Sequence, residues 1–526
     1  MLAVMSVDAQ TAPEVSRLVV NIVVDQLRTD YMEAFAPLYG DGGFKRLMAE
    51  ARYYADMQMP FRPVDRASAG ACISTGATPY VNGIPSLTWL SRQTLQPVYC
   101  ADDARQHGQQ TDERTSAASL LSTTITDELE LATARKSMVL GIAAERDLAV
   151  LMAGHAADGA FWLNDKNGSW SGTDYYGTFP GWVSAFDRFS PLASRLKDIV
   201  WEPLYDGAYA SFHYFHANPD TQQGIFSHKF KGDRRWRELK SSPMANEEVL
   251  RLVERTLEAT PIGRDDVPDM LCVGLYAGVF DGQSVVTAPA EMQDAYVRLD
   301  SVLARIIYKV ERTVGRDHAL FVVSSTGYAD TDASTYNISE LGLTIGTFDM
   351  ERASLLLNMY LSAIFGQAQY VTFTHNNHIY LDAKLIEQKQ LRKADILQRS
   401  EEFLAQMAGV RNVFTSSELV LTPEINSIEA CRNTLAMARN AWTPTRSGDI
   451  VVDVLPGWSV NCQNARTYVS VGQAHVPFPL FFLGPEVKSQ RIIAPVAATV
   501  IAPTLAACLR IRAPNGSTEA ALPLND

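Results

Sequence analysis

Residues 17–25 (RLVVNIVVD) constrain the fold more than any other stretch of the chain. A β-branched run without polar alternation predicts a strand buried on both faces, as in a parallel sheet covered by helices. The run ends in Asp25. Ligands of open α/β sheets bind beyond the carboxyl ends of the strands, so Asp25 is placed to act there, unless it only caps the following turn. Similar apolar runs recur at residues 137–142, 148–153, 269–276, 319–323 and 478–483, and residues 450–458 also have strand character. Helical patterns lie between them, at residues 44–52, 115–131, 245–257 and 289–314. This alternation predicts an α/β fold: a doubly wound, mostly parallel sheet flanked by helices.

A second stretch, residues 61–90, is built mostly from small side chains and turns. Residues 67–77 hold Gly70, Gly76 and four alanines, and Thr78-Pro79 and Asn82-Gly83 mark turns. Small residues let a helix start lie close against its neighbours, and backbone N–H groups there can hold an anion. A nucleophile just before such a helix is a common hydrolase arrangement. The residue at that place is Arg66, which is no nucleophile. Ser68, Ser74 and Thr75 are the nearby hydroxyls, with capping or packing as their plainer role.

A formal net charge of -13 argues against nucleic acid or an anionic membrane as a partner. No window approaches the roughly 20 apolar residues that span a bilayer. Residues 1–9 have the look of a signal-peptide remnant with Gln10 as the new N-terminus, which would place the protein in the periplasm or outside the cell. Six scattered cysteines exclude a zinc ribbon, and Cys100, Cys431 and Cys462 are open to bridging if the chain is exported. His155, the pair His213 and His216, and the 374–378 segment (THNNH) could ligate a metal, but their surroundings favour structural roles. Residues 15–159, 266–330 and 446–526 read as the core, and residues 160–265 and 331–445 as inserted α+β cap segments.

Five segments in order carry a family resemblance: LVVNIVVDQLRTDY with GGFKRLM; STGATPYVNGI; AGHAADGAFWLNDKNG; SSPMANEEVL through DMLCVGLY and YVRLD; and IAPTLAACLRI with APNG. The chain resembles the bacterial alkaline phosphatases that use a Thr nucleophile and two zinc ions, and their nucleotide pyrophosphatase/phosphodiesterase relatives. The likeness runs from Arg17 to Gly516.

The resemblance implies a role for defined positions. Asp25 keeps the family's first zinc-binding Asp, at the end of the first strand. Counting back ten residues from Gly76, the nucleophile position falls on Arg66, and the phosphate-binding Asn falls on Leu87. The family's Lys-Asp-Arg element is replaced by Glu145-Arg146-Asp147, so Glu145 and Asp147 stand where cations contact the phosphate. A zinc-binding Asp and His four apart become Val279 and Gln283, and an adjacent Asp-His pair becomes Ser325-Thr326. The last zinc His is His475 when matched by letters, or Pro477 when matched on the following strand.

A two-zinc site needs carboxylates and imidazoles holding ions about 4 Å apart, which Val, Gln, Ser and Thr cannot supply. Two expectations follow. The first is a catalytically inactive relative, without cofactor, acting as a binding or assembly module in the cell envelope for an unnamed protein or small molecule. The alternative is an active zinc-dependent phosphoric-ester hydrolase with a rearranged site. A ligand-binding role for Trp162, Tyr175, Tyr176, Trp182, Phe212 and Tyr214 is a variant of the first. Arg66 is expected to replace the metal charge by pairing with Asp25, because a buried unpaired carboxylate is costly.

Overall fold

The computed structural model describes residues 15–205, 225–283, 288–329, 346–455, 458–462, 469–470 and 476–525. The segment 1–9, Phe212, His213, Tyr214, His216 and His475 lie outside them.

Among the described residues, ten strands form the central sheet: β1 Leu18–Asp25, β2 Arg52–Tyr54, β3 Gly108–Gln109, β4 Val139–Ala143, β5 Gly159–Leu163, β6 Trp170–Thr173, β7 Asp269–Tyr276, β8 Ala319–Ser325, β9 Leu480–Leu483 and β10 Gln490–Ile492. Their order across the sheet is β10-β2-β9-β8-β1-β7-β4-β5-β6-β3. The five inner strands β8, β1, β7, β4 and β5 run parallel. Antiparallel pairs, β8 with β9 and β5 with β6, turn the sheet mixed toward its edges. The fold is α/β and mostly parallel, as its alternating pattern requires.

All eight residues of β1 are buried. Leu18, Val20, Ile22 and Val24 face one apolar layer with Phe35, Phe44, Leu303 and Ile306. Val19 and Val23 face the other, with Ala69, Ile73, Leu148 and Ile501. Period-two alternation between two covered faces is the physical reason this run carries no polar face.

Three local expectations change. Residues 148–153 are not a strand but most of a helix, Arg146–Ala153. Leu, Ala and Met are strong helix formers, and one Val does not override them. Glu145 is therefore the helix N-cap, followed by Arg146 and Asp147. Of residues 115–131, only the part after Thr124 is helical, where Thr124 and Asp127 form a reciprocal cap. Residues 478–483 return antiparallel rather than as a further parallel strand.

Within residues 160–265, β6 joins the central sheet, and Trp170, Val183, Trp201 and Trp236 pack in the same layer as Leu18 and Ile22. Residues 346–455 contribute a separate antiparallel sheet, ordered Val371–His375, His378–Leu381, Ile450–Val454 and Val410–Thr415. Its core is its own, including Leu357, Leu361, Ile379, Ile396 and Val452.

Candidate active site

The carboxyl ends of β1 and β4 and the first turns of two helices converge on Arg66. Arg66 is the first residue of the helix Arg66–Thr75, whose N-cap is Asp65. The Asp65 carboxylate accepts the Ser68 N–H at 2.9 Å, and the Ser68 hydroxyl accepts the Asp65 N–H at 3.0 Å. This capping box starts the helix with Arg66 in its first turn. The other carboxylate oxygen of Asp65 accepts the Leu87 N–H at 2.5 Å, so Leu87 is tied to the site through its backbone.

The helix Arg66–Thr75 packs on the helix Arg146–Ala153. A Cβ on Gly70 would lie 3.0 Å from Leu148 Cδ1, so glycine permits the close approach. Gly76 closes the first helix at φ 64, in the left-handed region glycine favours. The small-residue run thus brings a helix against a second helix, and Arg66 beside Asp147.

Arg66 and Asp147 form a forked pair: Nε donates to Oδ2 at 2.8 Å and Nη2 to Oδ1 at 2.9 Å. The Tyr99 hydroxyl also donates to Asp147 Oδ1, at 3.0 Å. Arg66 Nη2 lies 3.4 Å from Glu145 Oε2, and Nη1 lies 3.7 Å from Asp25 Oδ2. The Asp147 side chain is 0% exposed and that of Arg66 18%. Burial opposes both charges, yet Asp147, Glu145 and Asp25 hold the Arg66 pKa above its ordinary value. Burial likewise opposes ionisation of Asp147, and Arg66 reverses the direction, holding it below the usual carboxylate range.

The expected Arg66–Asp25 pairing is present at the longer distance, with Asp147 as the principal partner. Asp25 also accepts a hydrogen bond from Thr326 Oγ1 at 2.9 Å, and Thr326 accepts the Gln26 N–H at 2.9 Å. Gln26 holds φ 63, a strained backbone state directly after the strand end. Ser325 ends β8, fully buried.

Val279 and Gln283 flank a short turn after β7 and line a cavity with Trp201, Ser241, Tyr276 and Phe280. Asp25, Arg66, Glu145 and Asp147 are therefore brought together, with Thr326 beside them, while Val279 and Gln283 border this neighbouring cavity. Ser74 and Thr75 bond to the Ala71 carbonyl inside their helix. His155 Nδ1 pairs with Asp127 Oδ2 at 2.8 Å, and its Nε2 lies 3.3 Å from the Leu120 carbonyl.

Two residues of the site have no obvious sequence signal. Lys240, with a side chain 7% exposed, places Nζ 3.6 Å from Glu145 Oε2 and bonds Asp165. Burial opposes its charge, but Glu145 and Asp165 raise its pKa overall. Tyr99 comes from the strand Pro97–Tyr99, far from any motif. The one signal near Lys240 is the aromatic and basic run at residues 229–237 (KFKGDRRWR).

The positions that the resemblance assigns to zinc do not carry the carboxylates and imidazoles that such ions take. The Val279 side chain has no donor atom, the Ser325 and Thr326 hydroxyls and the Gln283 amide are neutral, and Asp25 is engaged by Thr326 and Arg66. The described residues do not fit a two-zinc centre.

The fold is a mostly parallel α/β sheet with a charged centre at its strand ends, and the sequence comparison identifies its family. Residues 19–475 match the Type I phosphodiesterase / nucleotide pyrophosphatase family, and the chain belongs to it. It is 29% identical to a protein of Myroides odoratus named calcium-transporting ATPase, over 96% of this chain and 93% of that one. It is 28% identical to alkaline phosphatase PhoV of Synechococcus elongatus, over 95% and 91% of the two chains. Alkaline phosphatase PafA of Elizabethkingia meningoseptica is 26% identical over 95% and 93%. A crystal structure of wild-type alkaline phosphatase PafA shares the fold with a TM-score of 0.83, covering 98% of this chain and 99% of that one at 24% identity.

These findings overturn the expectation of an inactive binding or assembly module. Full-length relatives are alkaline phosphatases, and the family is one of phosphoric-ester hydrolases. The expectation rested on the missing zinc ligands and nucleophile and on Glu145 and Asp147 standing where cations meet the phosphate, and only this last ground treated the two acids as bare charges. Asp147 is neutralised by Arg66, and Glu145 stands between Arg66 and Lys240.

Proposed function

We propose that the chain hydrolyses phosphoric esters at the carboxyl ends of β1 and β4, with Arg66 as the cation that meets the phosphoryl group. Family membership over residues 19–475, with alkaline phosphatases among its full-length relatives, is the observation that carries this reading. The geometry supplies a fixed cation and an accessible carboxylate, and water would be the nucleophile whose proton that carboxylate takes. Arg66 is preorganised by a forked bond to Asp147 and remains partly exposed, so it can take up developing negative charge with little rearrangement. Glu145, 31% exposed, is the accessible carboxylate beside it and the candidate for proton transfer. Lys240 adds a second positive charge on the far side of Glu145.

Zinc is the family's usual Lewis acid, and the donor set of the described residues does not fit it. Export through residues 1–9 belongs to the same proposal, and N-terminal sequencing of protein from the envelope fraction tests it.

Initial rates on an aryl phosphate monoester and a bis-aryl diester test the activity. Turnover of either above the uncatalysed rate is expected, and no turnover of both overturns the reading.

A further inference from the structure

We infer that Arg66 is a built-in cation that makes the strand-end centre of this chain independent of a divalent metal ion. Three carboxylates from two segments point at one guanidinium: Asp25 from the end of β1, and Glu145 and Asp147 from the start of the helix Arg146–Ala153. Asp147 is fully buried and Asp25 is 2% exposed, so their charges need a partner inside the protein. The position that resembles the family's nucleophile supplies it. A guanidinium spreads its charge over a planar fork and keeps it at all ordinary pH, which suits a fixed counter-ion for several carboxylates.

The donor set points the same way. Val279 cannot ligate a metal, Ser325 and Thr326 are buried neutral hydroxyls, and Thr326 donates its proton to Asp25. A divalent ion beside Asp25 would sit close to the Arg66 guanidinium, whose charge repels it. The arrangement is thus a substitution of one fixed cation for mobile ones. It concerns metal dependence and stands apart from whether the chain hydrolyses esters.

The test is metal content and thermal unfolding of the full chain. Wild type is expected to carry far less than one zinc per chain, with a Tm unchanged by a chelator or by added zinc, manganese or calcium. In Arg66→Ala the three carboxylates lose their counter-ion, so added divalent ions are expected to raise Tm by several degrees, as a ligand that binds only the folded state must. Arg66→Lys keeps the charge and should stay indifferent to metal. Stoichiometric zinc in wild type, or a Tm that falls on chelation, overturns the inference even if Arg66→Ala does not fold. A folded Arg66→Ala whose Tm ignores all three ions overturns it as well.

Discussion

Arg66 and Asp147 stand on the first turns of two packed helices and are joined by two hydrogen bonds of 2.8 and 2.9 Å. The contact between those helices passes through Gly70 and Leu148. Small side chains in one segment therefore determine whether two charges, 81 residues apart in sequence, meet.

Breaking this pair from the acidic side should be costly. Asp147→Asn leaves Arg66 without its main counter-charge, and a loss of about 3 kcal/mol is expected from such buried pairs. The folded Asp147 carboxyl lies below its ordinary range. Its stabilisation is thus present above the unfolded value, near about 3.9, and is lost as pH falls through the folded value. Urea unfolding of wild type and variant at several pH values should show the gap closing in acid. The double variant Arg66→Met with Asp147→Leu should lose less than the sum of the single variants.

Gly70→Val should separate the helices. Its Cβ alone would lie 3.0 Å from Leu148 Cδ1, and added methyls leave no room. A loss of about 1 to 3 kcal/mol is expected for overpacking, and Leu148→Ala in the same chain should recover part of it. Denaturant midpoints of the three variants check this.

Glu130 should make stability fall as pH rises. Burial, helped by Asp158 and Asp269 and opposed by Arg135, pushes its carboxyl up to about 7, and its Oε1 has no hydrogen-bond partner among the described residues. The unfolded chain releases this proton near about 4.3. Between the two values folding takes up a proton, so stability declines across that window and levels off above it. Glu130→Gln should flatten the slope and stabilise the protein at alkaline pH by about 1 to 3 kcal/mol. Unfolding free energies from mildly acidic to alkaline pH distinguish the two proteins.

The central strands were legible because their two-sided burial leaves a pure β-branched signature, as in residues 18–25. The long helix Pro289–Val314 was equally legible from its apolar spacing and its proline start. The helix Arg146–Ala153 was not, since a short apolar run carries no periodicity that separates helix from buried strand. Asp25 could be placed at the site from the strand end, and Arg66, Glu145 and Asp147 through the family resemblance. Their pairing could not, because it depends on a helix–helix approach set by Gly70 and on Tyr99 and Lys240 arriving from remote segments. Substituted residue types alone suggested lost chemistry, and the geometry compensates two of them, Glu145 and Asp147.

The most direct measurement of the central claim is the steady-state rate on an aryl phosphate ester for wild type and Arg66→Met, each shown to be folded. Wild type should turn over, and the variant should lose about 100-fold or more in kcat/KM, the scale of removing one preorganised charge donor. A wild-type rate no faster than the uncatalysed reaction, or equal rates for the two proteins, would contradict the account.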